Sequence, residues 1–265
     1  MYQLILPNGN IETCQAYREV SLRARFSGGE VRVICENTLE ITDRYTECHC
    51  LNEYDIIKEG IFVRFPELIP TASKNYWNSK KHKRLLIIGE CNYFDDNVDS
   101  VYKIPKVRYK GKNTQHLIPK EKKSDISNYK SNKTLYRLCK TMNDVLGEPL
   151  CKHVYDEAMF YNYFLRPATL RKNDKSFKKD CTRMDRKVAG IALNRIIDID
   201  HPDIIIFISK YAYMEYRKYM DKRRIAYAIP TYCINHPASH FSWYHRNGNG
   251  KQKFERLLRE YWIVK

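Results

Sequence analysis

Two loops of this 265-residue chain contain side chains that could carry out acid–base or leaving-group chemistry. The first loop follows the apolar run 85–88 and contains the carboxyl group of Glu90. The second follows the apolar run 227–233 and contains the imidazole of His236. A carboxylate can stabilise a cation or orient water, and an imidazole can donate a hydrogen bond to a departing anion. Each loop taken alone is more typical of an ordinary turn, with a solvent-facing glutamate or a structural histidine.

A third polar position lies inside the aromatic segment 160–167. Asn162 stands among aromatic residues, where an amide is costly to bury unless it is paired. Its donor and acceptor suit the Watson–Crick edge of a base, although a bond to a neighbouring loop would also satisfy them. Arg166 precedes a proline and is interpreted either as a phosphate contact or as a surface ion pair. Because these polar positions follow or end apolar strands, Glu90, Tyr93, Asn162 and His236 are expected to line one cleft at the carboxyl edge of the sheet.

The segment from about residue 85 to residue 265 resembles the uracil-DNA glycosylase superfamily in the order and context of its motifs. The sequence Gly-Glu-Cys-Asn-Tyr at 89–93 is similar to the first motif of that family. His236-Pro237 is similar to its catalytic histidine loop, and Asn162 stands where the family has its base-reading asparagine. The resemblance implies a DNA glycosylase, an enzyme that flips a base out of DNA and hydrolyses its N-glycosidic bond.

The site residues receive their expected roles from the motifs and the resemblance together. Glu90 and His236 are the catalytic pair: the histidine stabilises the departing base, and the carboxylate stabilises the sugar cation or orients water. The base pocket is expected to contain Tyr93, Phe94 and Asn162. Contacts to DNA are expected from Arg166, Ser239, Phe241 and Ser242, with the serines on phosphates and the phenylalanine as a wedge.

Departures from the family pattern bear on catalysis and on cofactors. Cys91 replaces the carboxylate that activates or positions water in the best-known branch, so Glu90 is the nearest substitute and Asp95 or Asp96 the second. The domain has no Cys-x-x-Cys pair, so an iron–sulfur cluster is not expected. Cysteine, histidine and cysteine at 48–50 have the wrong spacing for a four-ligand zinc site. The sequence therefore predicts no metal and no cofactor.

The pattern around these loops predicts the elements that position them. Short apolar runs separated by helical spacing indicate a parallel sheet with right-handed crossovers. The expected strands are 85–88, 158–164, 203–208 and 227–233, and the expected helices are 134–146, 185–197 and 251–262. We therefore expect a three-layer α/β/α domain over 76–265 with a central, mainly parallel four-stranded sheet. Residues 1–75 are interpreted as a small β-rich N-terminal region of unknown role.

The formal net charge of +16 favours a polyanionic partner, of which nucleic acid is the commonest. A lysine-rich solvated surface explains the same charge about equally well. Basic stretches at 103–123 and 171–187 are expected to follow phosphates. Nine scattered cysteines argue against a disulfide framework and favour a reducing, cytoplasmic location. No apolar run has the length of a transmembrane helix, and the N-terminus lacks the pattern of a signal peptide.

The leading hypothesis is a DNA glycosylase that leaves an abasic site. Its target is uracil or, because the first loop is divergent, a modified base such as those of phage DNA, with a role in defence. The alternative is a catalytically inactive member of this fold that binds nucleic acid, and Cys91 is the feature that favours it. A small-molecule N-glycoside hydrolase fits the loops but makes poor use of the positive charge.

Overall fold

The computed structural model describes residues 2–5, 11–14, 30–33, 41–42, 70, 73–91, 93–94, 132–148, 153–166, 168–169, 177–245 and 249–264. The strands in this part of the chain are β1 (Tyr2–Ile5), β2 (Ile11–Cys14), β3 (Glu30–Val33), β4 (Ile41–Thr42), β5 (Leu85–Gly89), β6 (Tyr93–Phe94), β7 (Met159–Asn162), β8 (Ala168–Thr169), β9 (Ile204–Phe207) and β10 (Thr231–Cys233). The α-helices are α1 (Lys74–Asn78), α2 (Lys133–Leu146), α3 (Val154–Glu157), α4 (Arg183–Asp200), α5 (Lys210–Arg223), α6 (His240–Tyr244) and α7 (Gly250–Leu257). A 3-10 turn spans Phe177–Lys179, and a π-helical turn continues α7 over Leu258–Trp262.

The central sheet consists of four parallel strands in the order β10-β9-β5-β7. β5 lies inside the sheet, with β7 on one side and β9 on the other. These strands come from the four apolar runs, so the sheet prediction is confirmed. β10 is shorter than the predicted 227–233 and begins directly after Pro230. A proline has no N–H to donate to a ladder, which explains why regular pairing starts there.

Helices cover both faces of this sheet, which explains why β5 and β9 are apolar without alternation. One face packs against α4 and α5 in a core that includes Ile88, Val188 and Tyr216. The other face packs against α2 and α7 in a core that includes Ile87 and Leu138. Successive residues of β5 point into opposite cores, as the pleat requires. The predicted three-layer α/β/α architecture is therefore confirmed.

The helices begin and end where the sequence supplies caps. α2 agrees with the predicted 134–146 and ends at Gly147, which adopts a φ of 77°. α4 extends beyond the predicted 185–197 at both ends and begins with a reciprocal capping box between Thr182 and Asp185. α7 and its π-helical turn together cover the predicted 251–262. None of the described helices has the length and apolar character needed to cross a membrane.

The N-terminal strands form a separate sheet. β1 to β4 are antiparallel and lie in the order β2-β1-β3-β4. Their strand content agrees with the predicted β-rich character of residues 1–75. The division of the chain at residue 75 stays a prediction.

Candidate active site

The carboxyl ends of the central strands place the candidate residues at one edge of the sheet. The parallel register pairs Gly89, the last residue of β5, with Asn162, the last residue of β7. Glu90 follows β5 directly, and His236 follows β10 after a short extension of the chain. Ligands of parallel α/β sheets bind at this edge, because the loops that leave it converge there.

The Glu90 carboxylate accepts a hydrogen bond on each of its oxygens. The backbone N–H of Phe177 donates to Oε1 at 2.6 Å, and the Ser209 hydroxyl donates to Oε2 at 2.5 Å. Ser209 also caps α5 by accepting the N–H of Ala212. The carboxylate therefore lies at the amino end of that helix, where the positive end of the helix dipole favours an anion. Both contacts hold a charged acceptor in a single orientation.

The His236 ring is oriented by its own loop. The N–H of Ala238 donates to His236 Nδ1 at 3.1 Å, so the neutral ring carries its proton on Nε2. Desolvation by the surrounding protein lowers the pKa of His236 from its ordinary value, and the opposing attraction of Glu90 is smaller. The Glu90 carboxylate is therefore within electrostatic reach of the ring. His236 is nevertheless exposed at the surface, so the site is open to a ligand.

The histidine loop is held by contacts beneath it and across it. Arg137 of α2 is buried, donates from Nη1 to the carbonyl of Pro237 and lies over the Tyr244 ring at 5.1 Å. Asn235 Nδ2 donates to the carbonyl of Ser242 at 3.3 Å. These contacts join the two ends of the loop to each other and to the helix layer, which fixes the position of the histidine between them.

Asn162 lies directly against the backbone of Gly89. A methyl group on Gly89 would lie 2.2 Å from Asn162 Oδ1 and 3.1 Å from Phe160 Cζ. Only a glycine leaves room for the amide at this position. Asn162 is half-buried. The base-reading candidate and the first loop are thus packed against each other at the sheet edge.

The segment after His236 presents polar and aromatic side chains at the surface. Ser239 is exposed and Ser242 is half-buried. Phe241 is 61% exposed, more than any other large apolar side chain among the residues that the structure describes. The rings of His240 and His245 lie 4.9 Å apart beside it. An apolar ring in this position is available to a partner that enters the site.

Arg166 does not reach the surface, which corrects its expected role as a phosphate contact. The side chain is 2% exposed and forms a bidentate ion pair with Asp185, with N–O distances of 2.9 Å and 2.8 Å. A guanidinium buried in this way cannot contact a phosphate of bound DNA. The alternative interpretation, an ion pair, agrees with the structure, except that the pair is buried rather than at the surface.

Cys91 lies in the core, whereas the backbone of Tyr93 and Phe94 forms a short strand. Cys91 is 7% exposed and packs in the core on the α4 and α5 side of the sheet. The backbone of Tyr93 and Phe94 forms β6, which pairs in parallel with β8. This pairing brings the loops that follow β5 and β7 side by side. The base-pocket role of Tyr93 and Phe94 stays a prediction.

Cationic side chains flank the donors to Glu90. Lys178 and Lys179 follow Phe177, and Lys210 follows Ser209; all three lysines are exposed. Of the basic stretches predicted to follow phosphates, 103–123 lies outside the described residues, and 171–187 is described from residue 177 onward. These three lysines place positive charge next to the candidate site, where it would attract an anionic ligand.

Three groups that contact the candidate catalytic residues or their loops are absent from the sequence predictions: the Ser209 hydroxyl, the Phe177 amide and the Arg137 guanidinium. Ser209 carries a sequence signal, because a serine between an apolar strand and a helical pattern is typical of a helix N-cap. The amide of Phe177 carries none, because every residue except proline has an N–H. Arg137 lies far from the histidine loop in sequence, so no spacing rule connects the two.

Among the described residues, no group of three or more histidine, cysteine, aspartate or glutamate side chains could hold a metal ion. The expectation that the protein uses no metal or cofactor stays a prediction. No protein-family model matches the chain, and no curated protein matches it. Membership of the uracil-DNA glycosylase superfamily stays a prediction from the sequence motifs.

Proposed function

We propose that the protein is a DNA glycosylase that flips a base out of DNA and hydrolyses its N-glycosidic bond to leave an abasic site. The observation that carries this proposal is the placement of an imidazole donor and a hydrogen-bonded carboxylate at the same edge of the sheet. His236 and Glu90 interact electrostatically, and each is oriented by hydrogen bonds of its own.

The role of His236 follows from its tautomer. With Nδ1 occupied by the N–H of Ala238, the neutral ring can donate only from Nε2. As the bond between the sugar C1′ and the base nitrogen breaks, its electron pair moves onto the base. A donor aimed at this developing negative charge stabilises the transition state more than the ground state. A lowered pKa keeps the ring neutral near pH 7, in the tautomer that this role requires.

The role of Glu90 follows from its charge. The sugar becomes cationic as the base departs, and a carboxylate in a partly desolvated site stabilises such a cation. The water oxygen then bonds to C1′, and the proton that water loses balances the charge of the departed base. Glu90 stabilises the sugar cation or orients this water while its own oxygens stay hydrogen-bonded to Phe177 and Ser209.

The remaining residues supply recognition. Asn162 offers a donor and an acceptor to the edge of the flipped base, with Tyr93 and Phe94 limiting its size. Ser239 and Ser242 bind phosphates, and the exposed Phe241 enters the space that the flipped base leaves. The base is uracil or a modified base, and a modified base of phage DNA would give the protein a role in defence.

A panel of DNA duplexes and single strands tests the proposal. Each DNA carries a different base at one labelled position, and alkali-labile breaks are measured after incubation. We expect breaks at one base or a small set of bases. If no DNA of the panel acquires abasic sites under any condition while binding is retained, the glycosylase proposal is wrong.

The alternative is a catalytically inactive module that binds nucleic acid with the same edge of the sheet. The burial of Cys91 favours it, because the position that carries a water-activating carboxylate in the best-known branch faces the core. Binding without abasic sites in the same panel would support this alternative.

A further inference from the structure

The buried guanidinium of Arg166 contacts the turn that supplies a donor to Glu90. Arg166 Nη2 donates to the carbonyl of Asp180, at the end of the 3-10 turn. The guanidinium also lies over the ring of Phe177, with its central carbon 4.7 Å from the ring centroid. The amide of the same Phe177 donates to Glu90 Oε1 at 2.6 Å. Arg166 therefore touches both ends of the turn whose first residue binds the candidate catalytic carboxylate.

Asp185 fixes the direction of the arginine. Its two carboxylate oxygens accept from Arg166 Nε and Nη2, which holds the guanidinium in one plane. Asp185 is itself held by Thr182, whose N–H and hydroxyl both donate to Oδ2. Hydrogen bonds at the amino end of α4 thus fix the position of Arg166. Arg166 in turn contacts the 3-10 turn at Phe177 and Asp180.

We infer that Arg166 is a positioning residue for Glu90: it holds the Phe177 amide against the carboxylate through the 3-10 turn. The inference rests on the proposed function, because Glu90 is the carboxylate assigned to the sugar. A planar guanidinium can bind Asp185 with two donors, reach the Asp180 carbonyl and stack on Phe177 at once. The ammonium of a lysine pairs with Asp185 but provides neither the fork nor the flat face.

The Phe177 amide proton reports the positioning without any activity measurement. A proton shared with a charged acceptor at short distance resonates downfield, and Glu90→Ala defines its position when the acceptor is absent. In protein labelled with ¹⁵N-phenylalanine, we expect Arg166→Lys to move this proton upfield, toward its position in Glu90→Ala. If the resonance stays at its wild-type position in Arg166→Lys, the inference is wrong.

Arg84→Lys is the matched control. Arg84 forms a similar bidentate pair with Asp203, with N–O distances of 3.1 Å and 3.2 Å, at the amino ends of β5 and β9. It lies at the opposite edge of the sheet from Glu90. We expect the Phe177 resonance to be unchanged in this variant. An equal shift in both variants would show a general loss of packing and would contradict the inference.

Base release provides the second measurement. We expect Arg166→Lys to slow single-turnover base release by about tenfold, because a displaced catalytic group loses its alignment. The same change in a Glu90→Gln background should have little further effect, since Arg166 acts through Glu90. A tenfold loss that persists in that background contradicts the inference. If the wild-type protein releases no base, the proposed function fails, and the Phe177 resonance still decides the role of Arg166.

A second variant guards against misfolding. Arg166→Met with Asp185→Asn removes both charges of the buried pair, so no unpaired charge remains in the core. We expect the Phe177 proton of this folded double variant to move upfield as well. A wild-type position in the double variant would overturn the inference as surely as in Arg166→Lys.

Discussion

The N–H of Ala238 donates to His236 Nδ1, and this contact selects the neutral tautomer that carries its proton on Nε2. Replacing His236 with alanine removes the donor that we assign to the departing base. We expect His236→Ala to slow base release by a factor on the order of hundreds, as loss of a transition-state donor typically does. DNA affinity should change little, because phosphate contacts elsewhere supply most of it. Single-turnover kinetics and a binding titration measure the two quantities.

The control for this variant is His201→Asn. His201 is exposed at the end of α4, adopts a φ of 42° and precedes β9, at the opposite edge of the sheet. Asparagine tolerates this conformation better than most residues, so the backbone should be preserved. Base release should be unchanged in His201→Asn, and an equal loss in both histidine variants would argue against the role of His236.

The pKa of His236 sets the expected pH dependence. Protonation of Nδ1 would place a hydrogen against the Ala238 N–H and disrupt the loop. Because desolvation lowers the pKa below the ordinary 6.5, the ring stays neutral at pH values where an ordinary histidine is already charged. We expect base release to be retained at pH 6.5 and to fall only at lower pH. A pH–rate profile that declines above pH 6.5 would contradict this assignment.

The stability of the fold should also decrease at low pH, because the pKa of His236 is lowered in the folded protein. The unfolded chain binds the proton on His236 more readily than the folded chain, since the folded pKa is the lower one. The free energy of unfolding should therefore decrease as pH falls below about 6.5, and part of that decrease should be absent in His236→Ala. Urea unfolding at several pH values measures the difference.

Glu90 and Cys91 are neighbours in the chain, and we expect substitution of Glu90 to lower catalytic activity much more than substitution of Cys91. Glu90→Gln removes the charge that we assign to the sugar cation, so base release should become slow. Cys91→Ala removes a thiol that packs in the core, so activity should be affected mildly. Kinetics of the two variants under one set of conditions compare them. If Cys91→Ala abolishes activity and Glu90→Gln does not, the roles within this loop are reversed.

At the scale of elements, the close contact between β5 and β7 depends on Gly89. A methyl group there would lie 2.2 Å from Asn162 Oδ1, so the amide must move. We expect Gly89→Ala to lower the free energy of unfolding by about 1–3 kcal/mol, the usual cost of overpacking. It should also weaken discrimination between bases, since Asn162 is displaced. Thermal unfolding and the DNA panel measure the two effects.

Asn162→Ala provides a second background in which the cost of Gly89→Ala can be measured. Shortening Asn162 removes the atom that the new methyl group would meet, so Gly89→Ala should cost less stability in that background. Equal costs in both backgrounds would show that the clash is not what requires a glycine at this position. The residual cost reports the contact with Phe160, whose Cζ lies 3.1 Å from the added methyl.

The sheet could be predicted because its strands come from short apolar runs, and the two central strands, β5 and β9, are buried on both faces. The carboxyl edge follows from the topology of a parallel sheet, because the loops that leave its strands converge there. The sequence therefore predicts that Glu90, Tyr93, Asn162 and His236 lie on this side of the domain. The partners of these residues could not be predicted. Arg166 looked suited to a phosphate, but whether an arginine is buried depends on tertiary packing, and Asp185 lies in a different element.

At the scale of the whole molecule, the net charge of +16 attracts a polyanionic partner at longer range than any single contact does. Each DNA phosphate that the protein neutralises releases a counterion, so affinity should fall steeply as salt increases. We expect a linear decrease of the logarithm of the binding constant with the logarithm of the salt concentration. Fluorescence anisotropy at several salt concentrations measures the slope. A nearly flat dependence would favour a small-molecule substrate over DNA.

The position of the charge, and not only its sum, should determine this slope. Lys178 and Lys179 lie in the 3-10 turn whose first residue binds Glu90, whereas Lys222 and Arg223 lie at the far end of α5; all four are exposed. Replacing Lys178 and Lys179 with glutamine should reduce the slope by roughly one for each lysine that binds a phosphate. Replacing Lys222 and Arg223 with glutamine removes the same charge and should leave the slope unchanged. Equal reductions in both pairs would mean that DNA responds to the total charge of the protein and not to the sheet edge that carries Glu90 and His236.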